Sequence, residues 1–234
     1  MNKPTQLIFP FQINQKASFD SFFCPPDNLD LMTRLADIVE SKKNHELIIH
    51  GERGSGKSYL MQAICNELSG AGKQFAFIPM NKAIKMGAEI FQNLASLDAV
   101  CVDDLQLMLS NEDLEIALFN LINECQHSNC SLILSFDGAQ PLEESTQLPD
   151  LLSRIKRMEF MVLHAVQDDF FKPALDFVAQ QLDITIDKAE LEFLLKHQTR
   201  QFSLLVENLI FLDKQAASLK RRITIPLIKE TLKL

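Results

Sequence analysis

The run Gly51-Glu52-Arg53-Gly54-Ser55-Gly56-Lys57-Ser58 fits the pattern G-x-x-x-x-G-K-[ST] in full, and that pattern restricts the chain to few folds. It works only where a strand ends just before it and a helix opens at its close. The apolar run Leu47 to His50 supplies the strand, and the stretch from Ser58 to Leu68 supplies the helix. The glycines let backbone N–H groups turn inward around an anion, and the helix N-terminus adds partial positive charge. Lys57 is then placed to neutralise the outer phosphates of a nucleotide, and Ser58 to ligate Mg²⁺. ATP or ADP with Mg²⁺ is the expected ligand, with Gly51 through Ser58 and the neighbouring Tyr59 forming its binding set.

A phosphate loop of this kind needs a second buried strand that ends in acid. Ala99-Val100-Cys101-Val102-Asp103-Asp104 meets that need. Asp103 is expected in the Mg²⁺ shell, through Ser58 or water, and Asp104 is placed to polarise an attacking water. Further apolar runs at Phe75 to Met80, Leu132 to Phe136 and Phe160 to His164 alternate with helical stretches. Together with Leu47 to His50 and Ala99 to Asp103 they predict an α/β domain, a five-stranded parallel sheet covered on both faces. Asp27 or Asn28 is read as the cap of a first helix from Leu29 to Ser41.

Beyond about residue 166 the strand signal stops. Helical patterns follow at Asp168 to Gln181, Asp187 to His197, Gln201 to Ala217 and Ile225 to Leu232, which predicts a small all-helical lid. The expected organisation is an extended N-terminal arm over 1–16, a nucleotide-binding α/β domain over 17–166 and a helical lid domain over 167–234. A chain of 234 residues, 47% of them hydrophobic, can bury such a core.

Charge and cysteine usage exclude some function classes. A formal net charge of −8 argues against a surface built mainly to grasp phosphate backbones, so nucleic-acid contact is expected to be local or borrowed from a partner. The five cysteines are odd in number and lie in apolar stretches, which suits a reducing cytoplasm rather than a disulfide framework. Cys125, His127 and Cys130 lie close together, but no second ligand pair follows at metal-site spacing. Neither a leader pattern nor an apolar run of membrane-spanning length is present, so no membrane partner is expected.

With these motifs in place, residues 17 to 218 resemble the DnaA branch of AAA+ proteins. Ser18-Phe19-Asp20-Ser21-Phe22-Phe23 followed by Asn28 is similar to the segment where that family's adenine pocket begins, and Asp103-Asp104-Leu105-Gln106 resembles its second acidic motif. Leu134-Ser135-Phe136-Asp137 sits where the family places its γ-phosphate sensor, which adds Asp137 to the nucleotide-binding set. Leu148-Pro149-Asp150-Leu151-Leu152-Ser153-Arg154 resembles the arginine-finger segment, which implies that Arg154 acts on a neighbour's nucleotide. Asp104 is one methylene shorter than the Glu usual in fast AAA+ ATPases, so weak or no hydrolysis of the chain's own nucleotide is expected.

The resemblance also carries partners. With the sequence ending at Leu234, no DNA-reading helix-turn-helix domain is expected, and Gln6-Leu7-Ile8-Phe9-Pro10-Phe11 resembles the peptide by which bacterial proteins dock on the DNA polymerase sliding clamp. In that peptide Gln6 supplies an amide, while Leu7, Phe9 and Phe11 fill apolar pockets. The implied function is that of a regulator which, nucleotide-bound and docked on the DNA-loaded clamp, stimulates hydrolysis of DnaA-bound ATP and so prevents re-initiation of replication. DNA is then met indirectly, through the clamp, and a homodimer or higher homo-oligomer stays open. A helicase or clamp loader, favoured slightly by Lys220, Arg221 and Arg222, is an alternative, as is a nucleotide-dependent binding module. One departure stands out: the family's lid arginine, sensor 2, aligns with Ser203, and the nearby Arg200 would leave the helix on another face.

Overall fold

The computed structural model describes residues 11–139, 141–197 and 201–234. Strands β1 (Glu46–Gly51), β2 (Phe75–Pro79), β3 (Ala99–Asp103), β4 (Ser131–Asp137) and β5 (Glu159–Val162) run parallel in the order β2-β3-β4-β1-β5. The central strands are apolar on both faces because both faces are covered. Alternation divides their side chains: Ile48, Val100, Val102, Leu132 and Leu134 join one core, whereas Leu47, Ile49, Cys101 and Ile133 join the other. The first core lies under α4 (Glu112–His127) and α6 (Pro149–Ile155), and the second under α1 (Leu29–Glu40) and α2 (Lys57–Gly70). Short helices α3 (Met80–Ala83) and α5 (Leu142–Ser145) join the elements of the first face.

The lid consists of α7 (Phe171–Gln181), α8 (Lys188–His197), α9 (Phe202–Leu219) and α10 (Ile225–Leu232) around its own core, which includes Leu175, Leu191, Leu194, Leu205, Leu209, Leu212 and Ile228. Each predicted strand and lid helix overlaps an observed one, and an α/β domain with a helical lid is the fold.

Two local expectations need correction, and they share one cause. Asn28 occupies the N-cap position of α1, but its side chain makes no cap bond. Instead its Nδ2 donates to the His164 carbonyl at 2.9 Å, and its Oδ1 accepts from the His164 N–H at 2.9 Å. The backbone of His164 is thereby paired to a side chain instead of to a strand, and β5 ends at Val162 instead of reaching His164. Asn28 is 1% exposed and ties the segment before α1 to the chain leaving the sheet. The stretch before α1 is anchored to the domain: Asn66 of α2 donates to the carbonyls of Asn14 and Ala17, and Pro26–Asn28 forms a 3₁₀ turn.

Candidate functional site

The C-terminal ends of three strands build the site. In an open parallel sheet that edge is where ligands bind. β1 delivers Gly51, β3 delivers Asp103 and β4 delivers Asp137, with Gly51 and Asp137 paired directly in the register. From Gly51 the chain turns through residues 52–56 and enters α2 at Lys57. Gly54 and Gly56 have φ of 84° and 98°, the left-handed region that a side chain resists. Gly54 has a second constraint, since a Cβ there would lie 2.6 Å from the Ser203 hydroxyl oxygen.

Lys57 is buried, and its ammonium donates to the carbonyls of Gly51 at 2.7 Å and Glu52 at 2.9 Å. Burial lowers its pKa, against the pull of the carboxylates of Asp137, Asp104, Asp103 and Glu52. A phosphate brought to the loop would give this ammonium the counter-charge that burial denies it. Ser55 adds a buried hydroxyl with no partner among the described residues.

Asp103 is 2% exposed at the end of β3, and the nearby Ser58 hydroxyl favours its charged form. Burial raises its pKa first and the charge of Asp104 adds to that, while the hydroxyls of Ser135 and Ser58 and the charge of Lys57 oppose the rise. A serine and a desolvated carboxylate side by side are the oxygen donors a Mg²⁺ ion takes. The residues fit a Mg-nucleotide: the loop and Lys57 would hold its phosphates, Ser58 and Asp103 its metal. Bound there, Mg²⁺ would neutralise charge on the phosphate oxygens.

Two residues that sequence reasoning left without a role complete this shell. Ser135, fully buried in β4, donates its hydroxyl to Asp103 Oδ1 at 2.5 Å and accepts from the Asp104 N–H at 2.9 Å. Gln106 donates to Asp104 Oδ1 at 3.0 Å and accepts from the Asp137 N–H at 3.0 Å. Asp104 itself has φ 61°, uncommon for a residue with a side chain, and these bonds hold it there. The signal for Ser135 was a lone hydroxyl inside an apolar strand, since a buried polar group needs a partner.

Beside the loop lies a cavity of about 340 Å³. Phe22, Tyr59, Val178, Phe202 and Val206 form much of its apolar wall, and Gly54, Ser55, Gly56 and Ser203 its phosphate-side edge. The Tyr59 hydroxyl lies 2.8 Å from the Ser21 hydroxyl, and the Tyr59 ring stacks on Phe22 at 6.2 Å between centroids. The cavity is contiguous with the phosphate loop and bounded by arm, loop and lid, the shape that suits a nucleoside. Arg200 lies outside the described residues, and so do Gln6, Leu7 and Phe9. Phe11 is described, and its half-buried ring packs on the first core.

Arg154 stands apart from this cluster. Its Nη1 donates to Gln126 Oε1 at 3.2 Å, and its guanidinium lies 6.0 Å from the centroid of Phe119, both on α4. Gln126 in turn donates to Glu46 Oε2 at 3.2 Å, and Glu46 is the first residue of β1, whereas the phosphate loop follows the last. At a rise of roughly 3.3 Å per residue the strand alone separates these ends by about 16 Å. Arg154 belongs to the opposite edge of the sheet from its own phosphate loop.

Comparison with known proteins adds family and fold. The family model "Bacterial DnaA ATPase domain" matches residues 13–162, and the model "Hda, lid domain" matches residues 168–232. Among solved structures, domain III of the Thermotoga maritima replication initiation protein DnaA superposes with a TM-score of 0.80 at 18% identity, covering 95% of this chain and 98% of that one. AMPPCP-bound DnaA from Aquifex aeolicus gives 0.68 at 20% identity, covering 89% and 69%. The Thermotoga maritima RuvB Holliday junction branch migration motor gives 0.61 at 17%, covering 92% and 73%. Among the described residues no helix is long and apolar enough to cross a membrane.

Proposed function

Since this chain belongs to the family of bacterial DnaA ATPase domains, we propose that it is an Hda-like regulator of the initiator, acting on a neighbour's nucleotide rather than turning over its own. Docked by its N-terminal peptide on the DNA-loaded sliding clamp, it holds ADP or ATP with Mg²⁺ in the cleft and presents Arg154 to the ATP of a DnaA molecule. The accelerated hydrolysis returns DnaA to its ADP form and prevents re-initiation.

The observation that carries this reading is the placement of Arg154 at the far end of β1 from its own phosphate loop. A guanidinium there serves no phosphate of its own chain, but it is half-buried at the surface, where a second molecule can receive it. Fixed charge and a planar fork suit it to the negative charge that spreads over phosphoryl oxygens in the transition state. The chain's own site is arranged less for turnover: the Asp104 carboxylate is short and already accepts a bond from Gln106. The match of the lid to the Hda model supports the regulator over the helicase or clamp-loader reading.

The test is single-turnover hydrolysis of DnaA-bound ATP with clamp on DNA and saturating protein. Arg154→Ala should fold, bind nucleotide and bind clamp, yet lose an acceleration of ~10³ to 10⁵, the range typical of a finger supplied in trans. Wild-type acceleration by this variant would refute the assignment. Loss of its own nucleotide binding would place Arg154 in its own site instead.

A further inference from the structure

Glu115 lies in the first turn of α4 and is fully buried, a costly place for a carboxylate unless its oxygens are satisfied. Among the described residues they are satisfied by backbone alone. One oxygen accepts from the Ser110 N–H at 2.7 Å and the Gln147 N–H at 3.1 Å; the other accepts from the Gln147 N–H at 3.0 Å and the Leu148 N–H at 2.7 Å. The Ser110 hydroxyl adds a parallel link, donating to the Ser145 carbonyl at 2.9 Å.

These bonds join two loops that matter to the proposed chemistry. Ser110 closes the segment that starts at Asp104, and its φ of 70° is one that a side chain resists. Gln147 and Leu148 are the residues immediately before α6, the helix that carries Arg154. Leu148 occupies the N-cap position of α6 and offers no capping side chain, so the entry of this short helix is fixed from outside, by Glu115. The other end of α6 is held by the bond of Arg154 to Gln126, also on α4.

We infer that Glu115 is a positioning residue for Arg154: by clamping the backbone entry of α6 to the first turn of α4, it sets where the guanidinium meets the neighbouring nucleotide. The inference rests on the trans-acting reading of Arg154. A carboxylate is required because both oxygens face N–H donors; in Glu115→Gln the side-chain amide nitrogen must oppose one of them. A displacement of about 1 Å at a reacting centre can cost ~10²-fold in rate, so Glu115→Gln should lower the maximal acceleration of DnaA-bound ATP hydrolysis by ~10- to 100-fold.

The experiment measures three quantities on Glu115→Gln, Glu115→Asp and Arg154→Ala in the full chain with clamp, DNA and ATP-bound DnaA: nucleotide affinity of the variant, its half-saturating concentration, and the maximal rate. Positioning predicts that Glu115→Gln changes only the maximal rate, and that Glu115→Asp, which keeps the charge but withdraws it by one methylene, falls between wild type and Gln. In the double variant with Arg154→Ala the Glu115 effect should vanish, because it acts through that side chain. If Arg154→Ala is impaired while Glu115→Gln and Glu115→Asp keep the wild-type maximal rate, the positioning role is overturned and the finger reading stands. If either Glu115 variant loses nucleotide affinity in step with rate, Glu115 serves the fold alone. Wild-type rates for Arg154→Ala would instead refute the finger reading itself.

Discussion

Replacing Ser203 by arginine tests how the cleft reads its nucleotide. Ser203 stands near the start of α9, lines the cavity with Gly54, Ser55 and Gly56, and its hydroxyl oxygen would lie 2.6 Å from a Cβ at Gly54. The lid therefore touches the phosphate loop at the residue where the family resemblance expects an arginine, and serine supplies neither charge nor reach. With a serine in place of the arginine at this position, the wild-type protein should favour ATP over ADP by less than about tenfold, roughly 1.4 kcal/mol. In Ser203→Arg the Gly54 backbone blocks one direction, so a guanidinium must extend along the loop toward the phosphates. A hydrogen bond to a charged group contributes about 1.5–3 kcal/mol, so the ratio of ATP to ADP affinity should rise by ~10- to 150-fold. The rise should appear in ATP, with ADP changing little. Competition of ATP, AMPPCP and ADP against a fluorescent nucleotide in Mg²⁺ measures it, with Ser203→Ala as a control expected to leave the ratio unchanged. A rise in both affinities by the same factor, or in neither, would show that the start of α9 does not face the outer phosphate. A wild-type preference well above tenfold would show that another group already fills the role.

Lys57→Ala should weaken nucleotide binding by about two orders of magnitude or more through loss of the loop's buried cation; ADP retained at wild-type affinity in equilibrium dialysis would make the phosphate-site assignment wrong. Asp103→Asn should abolish the gain in nucleotide affinity on adding Mg²⁺ and yet stabilise the nucleotide-free fold at neutral pH. Burial raises the Asp103 pKa in the folded state, so the stability linked to its proton is present at low pH and lost as pH rises through the folded value. The melting temperature of Asp103→Asn should therefore exceed that of wild type near pH 7.5 and converge with it toward about pH 4, near the ordinary aspartate range; a lower value at pH 7.5 refutes the burial argument. Gln6→Ala with Leu7→Ala should abolish clamp binding and leave nucleotide affinity intact. A single such peptide usually binds at micromolar strength, about −8 kcal/mol, and unchanged co-elution with clamp would remove the docking assignment.

The loop around Lys57 and its acidic neighbours were legible because such a loop demands residue types that are visible one at a time. Glycines at φ 84° and 98°, a lysine, a serine and an acid at a strand end each leave a mark in the sequence. The five strands were legible for a related reason, since a sheet covered on both faces turns Leu47 to Ile49 and Val100 to Val102 into unbroken apolar runs. Strand order was not visible. It depends on β1 inserting between β4 and β5, a choice made by long-range pairing rather than by local pattern.

What stayed hidden were side chains whose partners are backbone atoms, because a main-chain N–H carries no residue identity. Asn28 looks like a cap, and the sequence holds no trace of the His164 peptide that captures it instead. Glu115 looks like one more acid in the first turn of a helix, in a row with Glu112 and Asp113, and an acid there is ordinarily explained by the helix dipole. Its amphipathic position argued otherwise: Glu115 falls beside Leu114 and three residues before Leu118, which are both buried. A charged residue flanked that closely by core positions must be satisfied by something that folds onto it, and in a helix start the available donors are loop amides. The same reasoning applies to Ser135, a hydroxyl between Leu134 and Phe136 in a strand with no exposed face. Polar residues at core positions are thus the places where sequence should have predicted a tether, and here those tethers hold Asp103, Asp104 and the entry of the helix that carries Arg154.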